Sequence, residues 1–324
     1  MKLARLLHMA ALALALAALP VAASAQGWPD RPVRMVVFVP PGGIHDTLAR
    51  IIQPRLAEAL GQTILIENRP GAGGNIAAEA VARSPADGTT FLVASEAMAT
   101  NRFLYRSIGF DASRELTPVT KIADFPLVFA VHPSLAANTV AEFVASARAK
   151  PGGISYGSAG VGTSGHLSGE LFSSMTGIDI VHVPYKGGAP ALADLVAGRI
   201  QAMFISVTLT APLLRQGRLK VLAIAARGRA PQMPEVPTLA EAGYPEFEMQ
   251  PYSCIFAPAG TPAAIVARMS AEVGKALRAP ETQKRLADLG VVPAALAPEE
   301  FAAVLRSEGE RLGKLIRERN IRAD

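Results

Sequence analysis

The sequence predicts an α/β protein in which mostly parallel sheets are flanked by helices. Short apolar runs rich in β-formers alternate with helical patterns along most of the chain, which is typical of strand–helix–strand units. The composition is 50% hydrophobic and only 6% aromatic, which indicates a packed globular protein. The length of 324 residues allows two domains at roughly 100–200 residues each.

The first 25 residues are predicted to be a signal peptide. Lys2 and Arg5 provide the positive start, an apolar stretch runs from Leu6 to Leu19, and the small residues 23–25 suit cleavage after Ala25. The apolar stretch is too short to span a membrane comfortably. No cysteine lies near the cleavage site, so we expect no lipoprotein anchor. The mature protein is therefore expected in the periplasm.

The mature chain is predicted to begin with strands at 33–39, 63–67 and 89–95, with a helix at about 46–60 and a second after the glycine-rich turn at 70–75. Further strands are predicted at 127–132, 154–156, 179–183, 201–207, 220–225 and 252–257. The intervening helices are predicted at 140–150, from the loop at 157–165 to residue 175, at 189–197 and near 213. Residues 228–251 are expected to form a long ordered connection. No strand is predicted beyond residue 258, where the pattern becomes helical.

Composition and motifs argue against several functions. The single cysteine, Cys254, excludes an intramolecular disulfide and a Cys-based zinc site, and the mature histidines show no metal-ligand spacing. A net charge of +5 without a long basic run gives no reason to expect nucleic acid as a partner. Ser158 and Ser164 both lack the flanking glycines of a nucleophile elbow. We therefore expect neither an enzyme nor a metal or other cofactor.

Two glycine-rich loops, at 40–46 and 157–165, each follow a predicted strand and open a helix. Backbone N–H groups at a helix N-terminus bind anions, and open α/β sheets bind ligands at the carboxyl ends of their strands. The loops are therefore candidate anion sites, the alternative being ordinary tight turns. The second loop also fits G-x-G-x-x-G, but the following strand ends in residues 182–185 without a carboxylate to hold a ribose, so we expect no dinucleotide.

Five stretches carry a more specific signal: residues 28–50, 61–93, 156–172, 179–200 and 235–247, which include ENRPGAGGN and HVPYKGGAPAL. They resemble the Bug-type extracytoplasmic solute receptors, the substrate-binding components of tripartite tricarboxylate transporters. The resemblance implies a type II periplasmic-binding-protein fold with a ligand cleft between two lobes. Lobe 1 would comprise 26–124 plus the C-terminal part 252–324, including its helices, and lobe 2 would comprise 125–251. It also implies a monomer that binds a small carboxylate, namely a dicarboxylate, an acidic amino acid or an aromatic acid, and meets inner-membrane permease subunits.

In that family, main-chain N–H groups and waters hold the ligand carboxylate between the lobes. The positions that the resemblance places in lobe 1 are Pro41, Gly42, Gly43, Ile44, His45, Asp46, Ser95 and Glu96. Those in lobe 2 are Ser158, Gly162, Thr163, Ser164, His166, Tyr185, Lys186, Ile205 and Ser206. Tyr185 and Lys186 would form the rim of the cleft.

Four positions depart from the family pattern. Ile205 and Ser206 replace a polar pair, which favours a more apolar ligand such as an aromatic or branched monoacid. His45 and Glu96 stand where small residues are usual. A buried Glu96 would repel a second carboxylate and favour an amine or hydroxyl, whereas a solvated Glu96 would have no such effect.

The leading hypothesis is a receptor that delivers a carboxylate to a permease. The alternatives are a ligand sensor that signals to another protein and, less favoured, an exported enzyme on the same fold.

Overall fold

The strands form two sheets. The computed structural model of the protein describes residues 27–247 and 249–323, so the predicted signal peptide lies outside the described residues. The strands of the first sheet are β1 (Val33–Val37), β2 (Ile64–Asn68), β3 (Thr90–Ser95), β4 (Leu116–Asp124), β10 (Tyr252–Pro258) and β11 (Val292–Pro293). Those of the second are β5 (Leu127–Val131), β6 (Ser155–Ser158), β7 (Val181–Pro184), β8 (Ala202–Ser206) and β9 (Lys220–Ala225).

Helices cover both sheets. The helices that come before strand β5 in the chain are α1 (Ile44–Leu60), α2 (Asn75–Ala82), α3 (Ala97–Leu104) and α4 (Ala112–Glu115). The helices between strands of the second sheet are α5 (Val140–Ala149), α6 (Ser164–Thr176), α7 (Gly188–Val196) and α8 (Val207–Arg215). The C-terminal helices are α9 (Ala263–Arg278), α10 (Pro280–Asp288) and α11 (Pro298–Glu318). Among the described residues, no helix is long and apolar enough to cross a membrane.

The predicted two-lobed α/β architecture is confirmed, and both sheets are mixed. The first has the order β11-β4-β10-β3-β1-β2 and the second β7-β6-β8-β5-β9. Strands β1, β2 and β3 pair in parallel, as do β6, β7 and β8. Strand β10 lies antiparallel between β3 and β4, and β5 lies antiparallel between β8 and β9. Most strands in each sheet therefore point the same way, and each sheet has an antiparallel strand in its interior.

The chain crosses between the sheets twice. It leaves the first sheet through residues 125–126, between β4 and β5, and returns through 226–251, between β9 and β10. The Phe125 N–H donates to the Pro251 carbonyl over 2.8 Å, so the two crossing segments lie side by side. The returning segment has no helix or strand among its described residues, but Met233 and Leu239 are buried in the second lobe. Its described residues form a long ordered connection, as the sequence predicts.

The C-terminal helix α11 packs on both lobes. Its Phe301 belongs to a core cluster of the first lobe and contacts Tyr252 and Phe256 edge-on or tilted, with ring centroids 5.9 and 5.5 Å away. Its later residues Leu312 and Ile316 belong to the core of the second lobe. We expected the C-terminal helices to belong to lobe 1. Helix α11 does contact α3 and β4 of lobe 1, but Leu312 and Ile316 near its end also join the core of lobe 2.

Two strands were not predicted. Strand β4 contains Pro118 and Lys121, which weaken its apolar pattern. Pro118 pairs with Phe256 of β10 on one side, while β11 reaches only Ala123 and Asp124 on the other. A proline is tolerated at such an edge because its missing N–H would face no partner strand. The two-residue β11 corrects the expectation that no strand follows residue 258.

Candidate functional site

A cavity of about 680 Å³ lies between the two lobes. Its lining includes the loops after β1 and β6, where helices α1 and α6 begin. The crossing residues Phe125, Pro126 and Pro251 also line it. The cavity thus lies where open α/β sheets bind ligands, at the carboxyl ends of parallel strands.

The first loop turns the chain from β1 into α1. Gly42 has a φ of +84°, in the left-handed region that favours glycine, and its N–H donates to Asp46 Oδ2 over 2.9 Å. The N-cap residue Gly43 has extended backbone and no side chain to cap the helix. Ile44 and His45, in the first turn of α1, line the cavity.

Asp46 stabilises this loop from behind. Its buried carboxylate also accepts from Arg50 Nε over 2.9 Å and from Asn68 Nδ2 over 2.8 Å. Burial opposes ionisation, but these hydrogen bonds and that from Gly42 outweigh it and lower the pKa of Asp46. Both of its carboxylate oxygens are therefore engaged in hydrogen bonds that hold the loop in place.

The second loop turns the chain from β6 into α6. Gly162 has a φ of +77°, and a Cβ there would come within 2.7 Å of Leu104 Cδ1 on the opposite lobe. Thr163 occupies the N-cap position but does not cap the helix, because its hydroxyl donates to the Gly160 carbonyl over 2.7 Å. Gly162, Thr163 and Ser164 all line the cavity.

Both helices therefore present an uncapped N-terminus to the same cavity. The N–H groups of a helix's first turn have no partner within the helix, and the helix dipole adds partial positive charge there. The two ends come from opposite lobes and neither has a side-chain cap. Together they suit an anionic group placed between the lobes.

The rest of the lining is largely apolar. Phe38, Leu104, Phe125, Leu209 and Val291 contribute to it. No lysine or arginine is found among the described lining residues. Any anion in the cavity would therefore be held by neutral donors.

His45 is one of the ionisable side chains of the lining. Its ring packs against Phe38 and Phe125, with centroid distances of 4.6 and 5.4 Å. Burial lowers its pKa to about 3, so the ring is neutral near pH 7. Within the described structure, its buried Nδ1 has no hydrogen-bond partner.

Glu96 follows Ser95 at the end of β3 and lies beside the crossing segments. Its Oε2 accepts the Tyr252 N–H over 3.2 Å. Burial raises its pKa to about 7, against the effect of the backbone hydrogen bonds. The neighbouring Ser95 Oγ accepts the Ala97 N–H over 3.3 Å, at the start of α3.

Two stacked histidines support the second loop. The rings of His166 and His182 lie 3.7 Å apart at an interplanar angle of 9°. His166 Nδ1 accepts the Gly162 N–H over 3.0 Å, and His182 Nε2 lies 2.7 Å from the hydroxyl of the fully buried Ser158. Burial lowers the pKa of both histidines to about 4, so both rings are neutral near pH 7. Neither they nor Ser158 line the cavity.

The structure brings eight of the expected residues to the cavity wall: Ile44, His45, Ser95, Glu96, Gly162, Thr163, Ser164 and Ser206. Six others do not line the cavity: Pro41, Gly42 and Gly43 belong to the first loop itself, and Asp46, Ser158 and His166 are buried. Three positions of lobe 2 also do not line the cavity. The Tyr185 hydroxyl donates to Asp194 over 2.7 Å, Lys186 is exposed, and Ile205 is buried in a core cluster of lobe 2. Packing within lobe 2 therefore accounts for the apolar character of Ile205.

Sequence reasoning missed several lining residues. Asn101 of α3 donates to the Gly73 carbonyl over 3.1 Å and to Asn75 Oδ1 over 2.7 Å, which ties α3 to the PGAGGN turn. The turn motif was visible in the sequence, and Gly73 lies in the cavity wall. Residues 289–291 reach the wall from the loop after α10, and nothing in their sequence indicates this.

One further contact joins the lobes near residues 289–291. The Thr208 hydroxyl, on α8, donates to the Leu289 carbonyl over 2.7 Å. Thr208 also lines the cavity. Across the described residues, no group of three or more His, Cys, Asp or Glu side chains is placed to hold a metal ion.

Comparison with known proteins agrees with this architecture. Residues 48–321 match the tripartite tricarboxylate transporter family receptor, TctC. The protein BugT of Bordetella pertussis is 34% identical over 320 residues, which cover 98% of each chain. The R. palustris protein Rpa4515, solved with adipate, is 39% identical with a TM-score of 0.78 over 91% of this chain and 99% of that one. MatC from Rhodopseudomonas palustris, with bound malate, is 33% identical with a TM-score of 0.74 over 89% and 100%. The chain belongs to the tripartite tricarboxylate transporter receptor family and is a periplasmic solute-binding receptor.

Proposed function

We propose that this receptor captures a small carboxylate between its lobes through main-chain N–H groups at the starts of α1 and α6, with bridging waters. It then delivers the ligand, as a monomer, to the inner-membrane permease subunits of a tripartite tricarboxylate transporter. The observation that carries the proposal is the pair of uncapped helix N-termini that meet at one cavity.

The lining favours an aliphatic acid of modest length. Apolar side chains line much of the cavity wall, and related receptors were solved with adipate and malate. Neutral donors also suit a receptor that must release its cargo. A buried Arg–carboxylate pair carries a desolvation cost of several kcal/mol per ion, and a backbone site avoids burying the second ion.

We infer binding without turnover. Ser158 and His182 have the hydrogen-bond distance of a nucleophile and its base, 2.7 Å. However, Ser158 is fully buried behind the loop and its hydroxyl also donates to the Gly160 carbonyl over 3.0 Å. A carboxylate ligand in the cavity therefore does not meet this pair.

The substitution Thr163→Asp tests the site. An aspartate at the N-cap accepts the free N–H groups of the first turn and so occupies the place of the ligand carboxylate. We expect a fall of at least about tenfold in affinity for adipate or another bound carboxylate, by isothermal titration calorimetry. We expect the melting temperature of the free protein to stay the same or rise, because the new side chain caps α6.

The matched control is Thr139→Asp, at the start of α5. Thr139 already caps that helix, its hydroxyl accepting the Glu142 N–H over 3.1 Å, and it does not line the cavity. This control should leave carboxylate affinity unchanged. Unaltered affinity in Thr163→Asp would contradict the anion site on α6.

A further inference from the structure

Glu96 is the acidic residue among the described residues that line the cavity. The other ionisable residues of the described lining are His45, which is neutral near pH 7, and Tyr105. Glu96 lies beside the crossing segments, because Tyr252, whose N–H it accepts, follows Pro251 directly. A ligand anchored at the helix ends and extending towards the crossing segments would meet this carboxyl group.

The surroundings of Glu96 do not offset a second negative charge. Glu308 of α11 lies on the far side of Tyr252, whose hydroxyl donates to it over 2.6 Å. Lys121 of β4 forms an ion pair with Asp124 and lies 4.4 Å from the centroid of the Tyr252 ring. The other titratable group of β10 near Glu96 is Cys254, whose pKa is raised by burial and by Glu96, so it remains neutral.

The Glu96 carboxyl group retains the capacity to accept from a ligand. A carboxylate offers about four lone-pair positions. The Glu96 carboxyl group accepts hydrogen bonds from two backbone N–H groups, that of Tyr252 and that of Glu96 itself. These two hydrogen bonds use about half of the acceptor positions, and Glu96 is among the residues that line the cavity.

We propose that Glu96 determines the second polar group of the ligand, and that this group is a hydrogen-bond donor, a hydroxyl or an ammonium, at the far end of a monocarboxylate. An ionised second carboxylate beside Glu96 would place like charges in an apolar cavity, which is unfavourable. This inference rests on the proposed carboxylate site at the helix ends. It adds to that proposal the class of ligand that the cavity wall beside the crossing segments selects.

A matched series of six-carbon acids tests the assignment: hexanoate, its terminal hydroxy and terminal amino derivatives, and adipate. Affinities are measured by calorimetry at about pH 8.5, where Glu96 is ionised. We expect the donor-ended acids to bind the native receptor at least about tenfold more tightly than adipate. In Glu96→Gln, this ratio should fall at least about tenfold, because the neutral amide no longer repels the second carboxylate.

The pH dependence provides a second measurement. Adipate affinity of the native receptor should fall as pH rises through about 7 and should change much less in Glu96→Gln. The control Glu58→Gln changes an exposed carboxylate that pairs with Arg55 on the surface, and it should behave as the native chain does. Melting temperatures of all variants confirm that each is folded.

The outcomes separate the two proposals. One outcome is that the acids bind with the same ratio of donor-ended acid affinity to adipate affinity in the native receptor and in Glu96→Gln. In that case the assignment of Glu96 is wrong while the carboxylate site stands. If Thr163→Asp also leaves every affinity unchanged, the carboxylate site itself is wrong. If the ratio of donor-ended acid affinity to adipate affinity falls in Glu96→Gln but not in Glu58→Gln, the inference is supported.

Discussion

Burial shifts the pKa values of two ionisable residues of the cavity wall in opposite directions. His45 loses its positive charge, because burial lowers its pKa to about 3. Glu96 has its pKa raised to about 7 and so titrates within the physiological range. Both shifts follow from the cost of placing a charge in an apolar environment. Between about pH 3 and pH 7 these two side chains are therefore mostly neutral, and above about pH 7 the wall carries the charge of Glu96.

This titration predicts a stability effect of Glu96→Gln. The unfolded chain ionises Glu96 above about pH 4.5, while the folded chain does so only above about pH 7. The penalty for the native carboxyl group therefore grows across that interval and is complete above it. We expect Glu96→Gln to be more stable than the native protein by ~1–3 kcal/mol at pH 8, since one pKa unit corresponds to ~1.4 kcal/mol.

Urea denaturation at two pH values checks this prediction. The difference between the two proteins should disappear near pH 4, where Glu96 is protonated in both folded and unfolded chains. An equal difference at both pH values would show that packing, rather than charge, is responsible.

The candidate site was partly predictable at this scale. The glycine loops could be recognised because positive-φ turns and helix starts leave a pattern in adjacent residues, and Thr163 and Ser164 line the cavity as expected. Phe38 and Leu209 could not be recognised. An apolar residue that faces a cavity has the same sequence pattern as one that faces a core.

At the scale of elements, α11 contributes to the cores of both lobes. Ile316 is fully buried in the second lobe, 91 residues after the last strand of that lobe's sheet, β9, ends at Ala225. Arg319, just beyond the helix, forms an ion pair of 3.0 Å with Glu170 of α6. The end of α11 therefore adds a third connection between the lobes.

We expect Ile316→Ala to destabilise the protein by ~2–5 kcal/mol, because it removes buried methyl groups and leaves a cavity. The control Lys314→Ala, on the exposed side of the same helix, should change stability by less than about 0.5 kcal/mol. Chemical denaturation measures both. Similar losses in the two variants would show that the packing of Ile316 on lobe 2 is not the cause.

Element prediction succeeded where the local pattern was strong. The strands predicted at 127–132 and 220–225 are present within a residue of their expected ends. Strand β4 was missed because Pro118 and the buried Lys121 resemble loop residues, and their tolerance depends on the strand's neighbours. The path of α11 across two lobes depends on distant surfaces that no local pattern encodes.

At the scale of the whole molecule, the lobes are joined across the cleft by Thr208 and Leu289. This hydrogen bond links α8 of lobe 2 to the loop after α10 of lobe 1, and both residues line the cavity, so it adds to the contacts that hold the lobes around the cavity. A typical hydrogen bond contributes ~0.5–1.5 kcal/mol.

We expect Thr208→Val to raise the ligand dissociation rate by about 2–10-fold, the factor that this free energy corresponds to. Stopped-flow displacement measures the rate. The control Ser84→Ala removes a hydroxyl that donates to the Ala80 carbonyl over 2.9 Å within lobe 1. Its dissociation rate should not change. An unchanged rate in Thr208→Val would show that this contact does not hold the lobes together.

The two uncapped helix ends have a consequence for how this scaffold changes over evolution. A backbone N–H remains when a side chain is replaced, except by proline. Ordinary substitutions at Ile44 or Ser164 thus preserve the donors. The proposed anchor is accordingly insulated from mutation, while Glu96, Leu209 and the rest of the wall are free to diverge. Such a receptor can change its ligand specificity while its binding site for the carboxylate group is retained.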